Sequence, residues 1–357
     1  MTSHVRSGLA AMVLVLGAAS VTLADEVTLK GGAKLRGTIL SESEKAVVLK
    51  LDGGGKTTLQ KKLIESIKRT EPKSDPQPKA TPHKGPKKPS AGPASPFPPL
   101  ATPRELTPDI LFYDMRLKGT RLWIYRPKKA KGRLPLVLVA PAGTRLVHGV
   151  GLGKGDLPEH LPYVRAGFCV VSYSLAGAIP EKAKDAQFIG AIRAFLAAKG
   201  GLSNARVALE YALARLPVDR KRVYAAGHSS AGVIALQWAA FESRIKAVAA
   251  FAPCTDIPKR LTPKWLKTME AAGAKGVFAF CRRMSPLVLA PRIKVPVFLL
   301  HAQDDRNVAL ADSIAFVQTL QKTNKRVAFI PLDSGGHYQA MIRDGIPRAI
   351  QWFKALP

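Results

Sequence analysis

Arg222-Val223-Tyr224-Ala225-Ala226-Gly227-His228-Ser229-Ser230-Ala231-Gly232-Val233 joins a strand to a helix with almost nothing between them. Val223 to Ala226 is a short apolar run of the kind a strand buried on both faces requires. Ala231 to Phe241 follows at once with helical apolar spacing. The turn between holds two serines, Ser229 and Ser230, among small residues. A strand running directly into a helix presents a side chain beside the first unpaired N–H groups of that helix. Such a turn is either a seat for a nucleophile or a bare Gly/Ser turn, and the rest of the chain decides.

Outward from this stretch the pattern is strand–helix alternation, the signature of an α/β sheet. Apolar runs recur at Leu134 to Ala140, Phe168 to Tyr173, Ala247 to Phe251, Val295 to Leu300 and Val327 to Ile330. Helical stretches lie between them, at Ala191 to Leu196, Arg206 to Leu216, Ser313 to Leu320 and Ile346 to Leu356. Ile110 to Tyr113 and Leu122 to Tyr125 open the region as an antiparallel pair. Thr255 to Pro291 is too long for a plain sheet connection and predicts a partly helical cap, about 255–291.

Gly227-His228-Ser229-Ser230-Ala231 resembles the nucleophile elbow of the α/β-hydrolases, G-x-S-x-G, with Ala231 for the outer Gly. Sterics choose between the serines, because so tight a turn admits only small residues two positions either side. Ser229 has Gly227 and Ala231 there, whereas Ser230 has His228. Pro296 to Val308 resembles the acid loop H-G-x-x-D-x-x-V of the prolyl oligopeptidase-like and dienelactone hydrolase-like branches, with Ala302 for its Gly. Matched residue by residue, the acid falls on Asp305, with Asp304 one position early as the alternative. In that superfamily the order is Ser, acid, His. His337, in Asp333-Ser334-Gly335-Gly336-His337, is the one histidine of seven that follows Asp305.

The resemblance implies an α/β-hydrolase fold over 105–357: about eight strands, mostly parallel, helices on both faces and a small cap. It implies Ser229 as nucleophile, His337 as base and Asp305 as the acid orienting the imidazole. The oxyanion hole is expected from the backbone N–H of Ser230 and one from the Pro141-Ala142-Gly143-Thr144 loop, either Ala142 or Gly143. No metal and no organic cofactor is implied. Cys/His spacing for zinc is absent. Of the three cysteines, Cys169 reads as a core thiol, and Cys254 with Cys281 is one pairing open after export.

The 357 residues carry 55 Lys+Arg against 25 Asp+Glu, a formal charge of +30. This composition excludes a disordered chain, a multi-span membrane protein and a disulfide-dense module. Residues 1–24, with Arg6 ahead of an apolar Gly8 to Gly17 and small residues near Ala24, read as an export signal. After its cleavage no stable membrane span is expected, and the location is periplasmic or extracellular. Residues 25–70 alternate apolar and polar between Gly turns and resemble a small SH3-like β barrel. Residues 71–104 hold 11 of the 28 prolines and read as a Pro/Lys-rich linker.

The expected function is an exported serine hydrolase cleaving a carboxylic ester, small-molecule or carbohydrate-linked, through an acyl-enzyme. A prolyl oligopeptidase-like serine peptidase is the alternative enzyme. A catalytically inactive hydrolase fold serving as a binding protein at the cell envelope is the alternative of another class. The basic excess suits an acidic envelope polymer. It is scattered rather than arrayed, and no recognition element for nucleic acid appears.

Overall fold

The computed structural model describes residues 25–29, 34–44, 46–51, 56–61, 64–68, 96–180 and 183–357. The expected signal, 1–24, and most of the expected linker lie outside them. The chain divides into two compact units, Met1–Lys88 and Pro89–Pro357.

The first unit is an antiparallel sheet of five strands: β1 (Asp25–Leu29), β2 (Lys34–Glu42), β3 (Ala46–Leu51), β4 (Lys56–Gln60) and β5 (Ile64–Lys68). Their order is β4-β3-β2-β1-β5. Val27 and Val47, at inward positions of the alternation, are fully buried. The Ile39 N–H donates to Asp25 Oδ2 at 3.1 Å.

The second unit is built on β6 (Arg104–Thr107), β7 (Ile110–Leu117), β8 (Thr120–Pro127), β9 (Leu134–Val139), β10 (Cys169–Tyr173), β11 (Val218–His228), β12 (Ala247–Phe251), β13 (Val297–Ala302) and β14 (Val327–Leu332). They form one sheet in the order β14-β13-β12-β11-β9-β10-β8-β7-β6. The five pairings from β10 through β9, β11, β12 and β13 to β14 are parallel, and the three beyond β10 are antiparallel. The ninth strand, beyond the eight expected, is β6, an edge hairpin partner that begins at Arg104, the last residue of the expected linker. That stretch also packs: Phe97 is buried edge-on against Tyr211, and its carbonyl accepts from the Arg215 guanidinium.

The apolar runs have a direct cause. Along β9, Leu134, Leu136 and Leu138 enter one core while Val137 and Val139 enter another on the opposite face. In β12 and β13, Val248, Ala250, Val297 and Leu299 serve the first core, and Ala249, Phe251, Phe298 and Leu300 the second. A strand feeding two cores has no polar face to show. Helices α1 (Leu157–Arg165), α2 (Asp185–Ala197), α3 (Leu202–Arg215) and α4 (Ser230–Phe241) follow in chain order. Short helices α5 (Ile257–Leu261), α6 (Pro263–Ala271), α7 (Val277–Met284) and α8 (Pro286–Leu289) fill the stretch between β12 and β13. With Ile192 and Phe195 of α2 they enclose a third core around Leu266, Val277 and Phe280. Helices α9 (Leu310–Gln321) and α10 (Ile346–Ala355) complete the unit.

Helix α1 was not legible as a helix, because Pro158 and Pro162 interrupt its pattern. Pro158 lies in the first turn, where its missing N–H costs nothing, and Pro162 forfeits one bond. Among the described residues no helix is long and apolar enough to cross a membrane. All three cysteines are buried free thiols.

Candidate active site

The residues singled out in the sequence all follow carboxyl ends of parallel strands: Ala142 and Gly143 after β9, Ser229 after β11, Asp305 after β13 and His337 after β14. One edge of the sheet therefore collects them, the edge where open α/β sheets bind ligands.

Ser229 is the single residue between β11 and α4, with φ 52° and ψ −119°. A non-glycine residue held there stores roughly 1–3 kcal/mol of strain. Gly227 makes the turn possible: a Cβ on it would lie 2.4 Å from the backbone carbon and oxygen of Ala231. The strained backbone is tied down, since the Ser229 N–H donates to the Phe251 carbonyl at 2.9 Å and its own carbonyl accepts from Val233 N–H at 3.1 Å.

Ser230, chosen from sequence for its backbone N–H, uses its hydroxyl as well. Its Oγ accepts from the N–H of Gly143 at 3.1 Å and of Thr144 at 3.2 Å. The loop after β9 is thus held to the elbow through Gly143 and Thr144, while Ala142 lines the cleft beside them.

The Asp305 side chain is fully buried, and its Oδ2 lies 2.7 Å from His337 Nδ1. Oδ1 accepts the N–H groups of Asn307 and Val308 at 2.8 and 3.0 Å. His301, at the end of β13, adds its Nε2 at 3.1 Å from Asp305 Oδ2 and 3.0 Å from the Val308 carbonyl. Its Nδ1 lies 2.7 Å from Ser313 Oγ on α9. The consistent tautomer donates from Nε2 and accepts the serine proton at Nδ1. Burial alone would push the Asp305 carboxyl up. The hydrogen bonds from His301, His337 and the two N–H groups outweigh it and hold the acid well below the usual range.

Asp304 does other work: its carboxylate accepts Gly336 N–H at 2.8 Å and Gly335 N–H at 3.2 Å. It grips the loop that carries His337 without touching the imidazole. On the far side, His228 Nε2–H donates to the His337 carbonyl at 2.7 Å, and the two rings lie 4.5 Å apart. Burial, then the nearby His337, pushes His228 down to about 4, so it is neutral near pH 7. With Nδ1 of His337 committed to Asp305, Nε2 is the ring nitrogen left for chemistry. No hydrogen bond closes between Ser229 and His337 here, though both line one cleft.

That cleft has a volume of about 410 Å³ and is lined also by Leu146, Cys254, Asp156, Glu159, Arg260 and Tyr338. Burial pushes the Cys254 thiol up to about 12, so it stays protonated and unreactive. Among the described residues no group of His, Cys, Asp or Glu is arranged to hold a metal ion. A larger cavity of about 520 Å³, walled by Leu202, Trp238, Phe241 and Phe280, is lined by none of Ser229, Asp305 and His337. Sequence reasoning missed His301, although it stands in the acid-loop motif, and missed Glu159, whose helix had no readable pattern.

Residues 194–356 match the prolyl oligopeptidase family, and 107–262 match the acetyl xylan esterase family. No curated protein matches the chain. Among solved structures, the chain is similar to an acetyl xylan esterase from a Paenibacillus species, at 18% identity and TM-score 0.54, covering 73% of this chain and 90% of that one. It is similar to acetyl xylan esterase 1 from Thermoanaerobacterium, at 19% identity and TM-score 0.51, covering 71% and 86%. It is also similar to the Pyrococcus horikoshii acylaminoacyl peptidase, at 16% identity and TM-score 0.52, covering 71% of this chain but 40% of that one. At these identities the likeness carries the fold alone.

Proposed function

We propose that this chain is a serine hydrolase of the α/β-hydrolase superfamily that cleaves short-chain carboxylic esters through an acyl-enzyme. The observation that carries the reading is the buried Asp305–His337 pair, set at the sheet edge where the strained Ser229 turn opens into the same cleft. Ser229 Oγ attacks the ester carbonyl carbon as His337 Nε2 takes its proton. Asp305 fixes the ring with Nδ1–H toward the carboxylate and stabilises the imidazolium. The carbonyl oxygen becomes the oxyanion, facing the Ser230 N–H at the start of α4 and the Ala142 N–H, since Ser230 Oγ already takes that of Gly143. Collapse expels the alcohol, which takes the proton from His337. Water repeats the cycle, releasing the acid and restoring Ser229.

A cleft of about 410 Å³ with several polar walls suits an acetyl or similarly small acyl group on a polar alcohol better than a long apolar chain. The acetyl xylan esterase match over residues 107–262 and the small polar cleft support the esterase reading over the peptidase. Export follows from the residue pattern of 1–24. The five-stranded sheet order supports a small SH3-like barrel ahead of the hydrolase.

The test is hydrolysis of p-nitrophenyl acetate, butyrate and octanoate. Wild type should prefer acetate. Ser229→Ala should lose at least about 10³-fold in kcat. Ser230→Ala keeps its N–H and loses only its grip on the loop after β9, so its loss should be about tenfold or less. A folded wild type with no turnover above Ser229→Ala, and no labelling by a fluorophosphonate, would return the chain to a binding role.

A further inference from the structure

We propose that Glu159 is a specificity-determining residue that accepts hydrogen bonds from the hydroxyl groups of a sugar-like alcohol, the leaving side of the ester. The inference rests on the esterase reading and deepens it.

Glu159 lies on α1 and forms part of the wall of the cleft that Ser229 and His337 also line. It is 5% exposed, yet among the described residues its carboxyl group has no hydrogen-bond or ion-pair partner. Burial, then the neighbouring Asp156, pushes it up to about 7. Unlike the sealed Tyr163 hydroxyl, its oxygens keep access to solvent at the cleft wall, where an arriving ligand can supply the donors they lack. A purely structural role fits poorly. The Tyr163 hydroxyl, one turn along the same helix, is itself buried and unpartnered, and the two do not bond. Asp156, the other acid of this wall, already accepts from Gly153 N–H at 2.7 Å.

The side of the cleft follows from His228, which lines a small cavity together with Glu159 and whose ring lies 4.5 Å from that of His337 and 5.8 Å from that of Tyr338, so this acidic wall borders the histidine end. His337 hands its proton to the departing alcohol, so groups beside it face that alcohol rather than the acyl chain.

The class of alcohol follows from charge. An apolar leaving group would bury Glu159 with nothing gained. An anionic one would meet two acids. A cationic one would meet Arg260 in the same cleft and a chain of formal charge +30. Neutral hydroxyl groups in numbers supply donors for both carboxylate oxygens without either conflict.

Three acetate esters that differ in the alcohol test this: a mono-O-acetyl methyl xyloside, p-nitrophenyl acetate and acetylcholine. Each is turned over by wild type, Glu159→Gln and Glu159→Leu, with folding checked by thermal melting. The expected result is a fall of at least about tenfold in the kcat/KM ratio of xyloside to p-nitrophenyl acetate in Glu159→Gln, carried by KM, and a larger fall in Glu159→Leu. Gln preserves shape, so its result stands even if the Leu variant folds badly. Ratios within about threefold of wild type overturn the inference and leave the esterase standing. A fall confined to acetylcholine overturns it in favour of a cation site. Failure of folded wild type on all three esters removes the esterase reading and this inference together.

Discussion

Asp305 shows how much one residue can carry. Its side chain is fully buried and its carboxylate has four partners, two imidazoles and two backbone N–H groups. Its folded-state pKa lies below the unfolded value of about 3.9. The stability it contributes is therefore complete above about pH 4, and drains as the pH falls from there toward the depressed folded value. Asp305→Asn should cost about 3 kcal/mol near pH 7. It should also flatten the acid limb of the stability curve below about pH 4, and lower kcat by roughly 10⁴-fold. Urea melts at pH 7 and pH 3, beside ester kinetics, read all three. An equal loss of stability at both pH values would mean that the carboxylate's charge is not what the site uses. Ser229, Asp305 and His337, the proposed triad, could be named from sequence because the proposed chemistry demands one residue type at one place in a motif. Glu159 could not, because nothing in the spacing of α1 marks a buried acid.

The loop after β14 is an element whose sequence says little and whose anchors are far away. Gly335 and Gly336 have φ of 134° and 60°, and a Cβ on Gly335 would come 2.9 Å from that of Ala340. Asp304, from the loop after β13, holds their two N–H groups, and His228, from β11, holds the His337 carbonyl. Three strands thus set one imidazole. Since a displacement near 1 Å costs about 10²-fold in rate, Asp304→Ala should lower kcat by about tenfold or more. KM and the melting temperature should stay close to wild type, because Asp304 is exposed. A fall as deep as that of Asp305→Asn would mean that Asp304 acts on the imidazole itself. Sequence reading did name Asp304 as the alternative acid. It had no means of separating a carboxylate on a ring from one on backbone N–H groups, since both follow the same strand.

At the scale of the molecule, the sheet was legible because strands that feed two cores must be apolar throughout, as β9, β12 and β13 are. Helix α1, with Pro162 in its middle, and an edge strand as polar as Arg104–Thr107, were not, because their stability comes from packing rather than from pattern. Charge is the other whole-molecule property read from sequence, and it is borne by both halves of the chain: residues 105–357 hold 38 basic and 17 acidic residues, a net of +21 out of +30. A field of that size acts on polyanions and hardly at all on neutral esters. The protein should therefore bind a sulfonated polysaccharide matrix at about 0.05 M salt and leave it as the Debye length shortens toward a few ångströms near 1 M. Over the same range, kcat/KM for p-nitrophenyl acetate should change by less than about twofold, because no charge is steered. Parallel salt dependence of binding and turnover would instead tie the cationic surface to the cleft, with Arg260 the residue to replace first.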